Sequence, residues 1–196
     1  MNEQAHFEDN FTGALKEGWH WIRESPEAWR IEGGALHIRA LPGTLWGERN
    51  DARNILVRPA EPVGEGFSTE ITVRNAPQLQ GEQGGLIWYV DDTTYIKFIK
   101  ENLEDSIWIV FAREIDDQPV LENKLAWDAE SAHLKLAYED GKVIGRARDP
   151  EGGEWQTVGE IEPLPQPEVH PGIFAHGGPE DEAHWAELTG FAVTSI

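Results

Sequence analysis

Tyr95, Lys97, Ile99 and Glu101 alternate with Ile96, Phe98 and Lys100 along one apolar run. A period of two places the first four on one face of a strand and the other three on the opposite face. A cation and a carboxylate between apolar neighbours on a central strand are costly unless they pair or stay wet. This face therefore lines a polar groove or carries a Lys97–Glu101 ion pair. Nine tryptophans add a second kind of chemistry. Flat indole rings stack on sugar C–H faces and lose few rotamers on binding. Trp46 follows the Pro42-Gly43 turn, where a core role is less automatic. Trp88 and Trp108 fall on expected central strands, and most of the other tryptophans should anchor a core. Arg113 follows the apolar segment Ile107 to Phe111 and could pair with a carboxylate or bond sugar hydroxyls. The candidate contacts are Trp46, Trp88, Tyr95, Lys97, Glu101, Trp108 and Arg113.

Other chemistries lack their signatures. There is no Cys, so disulfide frameworks, Cys-based zinc sites and thiol nucleophiles are excluded. No Gly-x-Ser-x-Gly elbow surrounds Ser25, Ser68, Ser106, Ser131 or Ser195. No P-loop or dinucleotide fingerprint is present. The seven histidines show neither HxH nor HxxxH spacing, so a zinc pattern is missing. The formal charge of −20 argues against nucleic acid or an anionic membrane surface as partner. It reads chiefly as a solvated, repulsive surface. No run approaches 18 apolar residues. The first residues, Met1 to His6, have no basic or apolar leader character, so a cytoplasmic location is expected.

The elements that position these residues are strands. Helical periodicity is almost absent, while alternation and turn signals recur throughout 196 residues. At this length one domain, residues 1–196, is expected. Asp140-Gly141 between Leu134–Tyr138 and Val143–Arg148 predicts a type I′ hairpin. Gly84 to Val90 and Thr94 to Lys100 flank Asp91-Asp92-Thr93 and predict a second hairpin. Ser106 to Glu114 is a third strand, apolar on both faces, as a central strand should be. The prolines 163, 165, 167 and 171 mark an extended loop before the last two strands. An all-β, two-sheet antiparallel sandwich follows.

An ordered set of landmarks runs from Phe7-Glu8-Asp9-Asn10-Phe11 through Trp19-His20-Trp21 and Trp29 to Leu36. It continues through Pro42 to Trp46, Gly66-Phe67, Gln83 to Leu86, Thr94 to Lys97 with Glu101, and Ile107 to Arg113. The set resembles the DUF1349 family, whose fungal relatives are known as regulators of enolase, within the concanavalin A-like lectin/glucanase superfamily. It is also similar to the C-terminal sandwich module of some β-xylosidases. The resemblance implies a concanavalin A-like jelly roll with a concave sheet able to carry a ligand groove. Tyr95 stands where relatives commonly have Trp. Glu114 to Pro119 replaces a Ser-Asp-Trp-Ser-like segment.

Glycosidases of this superfamily often carry Glu-x-Asp-x-x-Glu, with acids sharing one strand face. Here Glu114-Ile115-Asp116 begins the pattern, but Pro119 stands at the last position. Asp116-Asp117-Gln118-Pro119 reads as a turn instead. Sandwiches of this type often bind calcium where the first and last strands meet, and Glu8, Asp9 and Glu187 could supply oxygens. Scattered surface acids are the simpler reading, and no cofactor is required. The expected function is a non-catalytic module binding a small carbohydrate or similar polar ligand on the concave sheet. The alternatives are a protein-interaction domain of the enolase-regulator kind, and a divergent glycoside hydrolase or lyase. Sugar phosphates fit only if Lys97 and Arg113 form a local positive spot.

Overall fold

Alternating apolar residues and frequent turns build two antiparallel sheets in the computed structural model, which describes residues 4–63 and 66–196. Strand numbers follow chain order. Sheet I runs β16 (Gln156–Ile161), β15 (Lys142–Arg148), β14 (Ser131–Glu139), β9 (Phe67–Arg74), β18 (Trp185–Ser195), β4 (Ala35–Arg39) and β3 (Trp29–Glu32). The first strand, β1 (Gln4–Asp9), pairs with the C-terminal half of β18. Sheet II runs β13 (Gln118–Ala126), β12 (Ser106–Ile115), β11 (Thr94–Leu103), β10 (Gln83–Asp91), β17 (Glu168–His176), β7 (Ile55–Val57) and β2 (His20–Ile22). Short β8 (Glu61–Pro62) adds to β17. A small hairpin, β5 (Leu45–Trp46) with β6 (Arg49–Asn50), stands apart from both sheets.

Tight turns hold the register. Asp140 and Gly141 join β14 to β15 with φ of 50° and 82°, the positive values that a type I′ turn requires. Asp116 and Asp117 do the same between β12 and β13, and Glu104 and Asp105 between β11 and β12. Pro163, Pro165 and Pro167 lie in the connection from β16 to β17, whereas Pro171 falls within β17 itself, opposite Trp88. A single 3-10 turn spans Pro26–Ala28, and among the described residues no helix is long and apolar enough to cross a membrane.

The inward faces of the two sheets form the main core. Phe98 and Phe111 from sheet II meet edge to face, with ring centroids 5.5 Å apart. Sheet I makes room for them with two glycines. A Cβ at Gly145 would lie 2.9 Å from the Phe98 ring, and one at Gly159 would lie 2.7 Å from the Phe111 ring. Knob and gap thus interlock across the sandwich. Trp88 belongs to this core. It is fully buried, stacks on Phe67 at 4.5 Å and donates its indole N–H to Thr69 Oγ1 at 2.9 Å. A second, smaller cluster covers part of the outer face of sheet II. There Leu45 and Ala52, from the segment between β4 and β7, sit over Ile55, Ile87, Tyr95, Ile99 and Phe174.

Candidate functional site

Strand register assembles a polar lattice on the outer face of sheet II. In one cross-strand row, His176, Gln83, Glu101 and Trp108 lie side by side on β17, β10, β11 and β12. Two rows on, Ile87 pairs with Lys97 and Lys97 with Ala112. In the next row Tyr89, Tyr95 and Glu114 are neighbours. Side chains two residues apart along a strand share a face, so Tyr95, Lys97, Ile99 and Glu101 do share one, as their alternation implies.

The β5–β6 hairpin forms a wall over this floor. The Leu45 carbonyl accepts from Lys97 Nζ at 3.0 Å and lies 2.7 Å from the Tyr95 hydroxyl. That hydroxyl also contacts Glu114 Oε2, and its single proton serves one acceptor at a time. Glu114 Oε2 accepts the Gly47 amide at 2.9 Å as well. Trp46 extends from the wall, 39% exposed, with its ring centre 5.0 Å from Lys97 Nζ. Between wall and floor lies a cavity of about 290 Å³, lined by Trp46, Gln83, Lys97, Glu101, Val110 and Leu121 among others.

Burial controls the charges here. Lys97 is only 2% exposed. Desolvation pulls its ammonium down to about 8, against the opposing pull of Glu101 and then Glu114. The same desolvation raises the Glu101 carboxyl to about 7, although the Lys97 charge works against the rise. No carboxylate lies within 4.0 Å of Lys97 Nζ among the described residues, so the expected ion-pair alternative is not made. Gln83 Nε2 bonds Glu101 Oε1 at 2.8 Å, while Gln83 Oε1 is buried without a partner. His176 is buried with both ring nitrogens unpartnered. Burial first, and Lys97 second, hold its imidazole well below the usual range, so it stays neutral near pH 7.

Of the seven candidate contacts, Trp46, Tyr95, Lys97, Glu101 and Trp108 share this side of sheet II. Trp46, Lys97 and Glu101 line the cavity itself. Tyr95 lies beneath Leu45. Trp108 stands at the end of the row, where its N–H bonds the Leu103 carbonyl at 3.1 Å and Lys124 Nζ lies 4.1 Å from its ring centre. Trp88 and Arg113 do not join them. Both pair with Ile96, a residue of the inter-sheet core, so strand parity turns them inward. Arg113 pairs with Glu122 at 2.6 Å. The positive spot expected from Lys97 plus Arg113 is therefore not formed, because the two point to opposite faces.

Gln83, Leu121 and the buried Glu114 were missing from the expected contacts. Glu114 shares the parity of Trp108, three strand periods away, and that signal was present in the sequence. The acids considered for calcium are otherwise engaged or dispersed. The Asp9 carboxylate accepts the amides of Phe11 and Lys16 and the Trp19 indole N–H, at 2.8, 3.0 and 2.8 Å. Among the described residues no group of three or more His, Cys, Asp or Glu side chains could hold a metal ion.

Residues 7–178 match the family model described as the β-xylosidase C-terminal concanavalin A-like domain. Solved structures share the fold. One is a GH43 protein from Bacillus licheniformis, with 19% identity and a TM-score of 0.83, covering 96% of this chain and 39% of that one. Another is a xylan β-1,4-xylosidase from Bacillus halodurans, with 15% identity, a TM-score of 0.80 and the same coverage. A functionally unknown protein from Saccharomyces cerevisiae, at 14% identity and a TM-score of 0.72, matches 91% of this chain and 97% of its own. The chain thus spans 39% of the length of the two bacterial chains. Among curated proteins none matches.

Proposed function

Because the chain belongs to the β-xylosidase C-terminal concanavalin A-like domain family, we propose that it serves as a non-catalytic binding module whose site is the cavity beneath Trp46. The ligand in this reading is a small carbohydrate or a molecule of similar polarity. One observation carries it: the cavity joins an exposed indole to a buried amide oxygen, Gln83 Oε1, that lacks a protein partner. A buried donor or acceptor without a partner is costly, and a hydroxyl-rich ligand offers both kinds of group. The indole supplies a stacking platform for the apolar face of a sugar ring. Titration against an array of mono- and oligosaccharides tests the reading. Trp46→Ala, at an exposed site, should leave the fold intact and weaken binding by about tenfold or more. Binding that is unchanged in this variant would remove the cavity from consideration.

A second reading is a protein-interaction role of the DUF1349, enolase-regulator kind. The observation favouring it is the outer edge of sheet II. There β13 leaves Val120 and Leu121 more than two-fifths exposed. An edge strand with apolar side chains is a ready template for another chain. A discrete protein captured by the intact module, and lost with Val120→Lys, would favour this role over sugar binding.

A further inference from the structure

Lys97 is a buried cation with no direct ion pair, since Glu101 and Glu114 act on it only from a distance. Its ammonium has one protein acceptor, the Leu45 carbonyl, and no carboxylate within 4.0 Å among the described residues. A buried charge left this way is expensive, and an anion placed against it recovers much of the cost. The remaining donors of the ammonium are available on the cavity side, since Lys97 lines the cavity. Glu101, the acid sharing that lining, already binds Gln83 Nε2 through Oε1, and its second oxygen receives no protein hydrogen bond among the described residues. The centre of the Trp46 ring lies 5.0 Å from the ammonium, so one ligand can touch both.

We propose that the ligand of this cavity is an acidic sugar of the uronate class. Its carboxylate lies against Lys97 Nζ, its ring on Trp46 and its hydroxyls toward Glu101 and Gln83. The proposal rests on the carbohydrate reading of the same cavity and narrows it. A neutral sugar would leave Lys97 without a direct ion pair, its charge offset only by the more distant Glu101 and Glu114. A phosphorylated sugar brings more charge than one lysine balances, and Arg113 faces the other way.

The test is calorimetric titration of the intact chain with glucuronate, glucose and acetate at one fixed salt concentration. Glucuronate should bind about tenfold more tightly than glucose, the advantage expected of one charge-assisted contact. Acetate should bind weakly. In Lys97→Met the glucuronate preference should vanish while weak binding of both sugars persists. Lys97→Arg should restore part of the preference. Equal affinity for glucose and glucuronate would overturn the acidic-sugar proposal and leave the carbohydrate reading standing. Acetate binding as tightly as glucuronate would also overturn it, since the site would then read only the charge. If neither sugar binds, both the proposal and the carbohydrate reading fall.

Discussion

Replacing Lys97 by Met should stabilise the protein, although the lysine lines its candidate binding site. The ammonium is displaced from its ordinary 10.5 to about 8 by burial. That displacement corresponds to roughly 3 kcal/mol of penalty on the charged form in the folded state. Methionine fills a similar volume without the charge. The substitution gives up the bond to the Leu45 carbonyl, about 1 kcal/mol, but the Tyr95 hydroxyl remains within 2.7 Å of that oxygen. The expected net gain is about 2 kcal/mol at pH 7, or roughly 4–8 °C in Tm for a chain of this size. The sign has a pH signature. Below about 8 lysine is charged in both states and the wild type bears the full penalty. As pH rises from about 8 to 10.5, the folded lysine loses its proton before the unfolded one does. The penalty therefore fades and the variant's advantage shrinks with it. Urea denaturation of both proteins at pH 7 and pH 10 reads the difference. A variant less stable than wild type at pH 7, or an advantage of constant size across that range, would refute the reasoning.

Three further outcomes are expected. Burial raises the Glu101 carboxyl from 4.5 to about 7, so wild-type stability should fall as pH rises through that interval. Glu101→Gln should remove the fall and be about 2 kcal/mol more stable at pH 8, with no gain at pH 4, as chemical denaturation at the two pH values will show. Glu70 behaves in the opposite way. Burial alone would raise it, but its bonds to His133 and Lys135, both at 3.0 Å, outweigh burial and hold it at about 2. Its contribution is present above pH 4.5 and lost as pH falls toward 2, so Glu70→Gln should cost about 2 kcal/mol at pH 7 and almost nothing near pH 2. Gly159→Ala would press a methyl group against the Phe111 ring and should destabilise by about 1–3 kcal/mol without altering ligand affinity, measurable by thermal melting and titration together.

The sandwich was legible because its strongest signals are local. Asp140-Gly141 determines a hairpin almost alone, and the alternation from Tyr95 to Glu101 correctly separates a polar face from a core face. The site was only partly legible because its contacts depend on pairing between strands. A direct turn at Asp91 to Thr94 would set Gln83 opposite Asn102. The structure has a bulge between Tyr89 and Asp91 that moves the register by one residue and brings Gln83 opposite Glu101. Nothing in the residue types around Val90 announces that extra residue. Parity could have separated Arg113 from Trp108, since residues five apart on a regular strand face opposite ways. Trp88 was ambiguous for a different reason. An indole suits a core and a sugar platform equally, and only its pairing with Ile96 decides between them. The partnership of Leu45 with Tyr95 and Lys97 spans about fifty positions, beyond the reach of any local pattern.

The cavity's two sides face different limits on change over generations. Its floor belongs to strands paired on both edges, where an inserted residue would turn every later side chain to the wrong face. Its wall is a two-stranded hairpin paired with neither sheet, tied to the floor at Leu45 and Gly47. Insertions and deletions in residues 48–50 can therefore reshape the mouth of the cavity without disturbing the sandwich. Related chains should diverge in ligand choice by altering the length and tip of this hairpin. On the floor, they should diverge by exchanging single side chains at positions 83, 97 and 101.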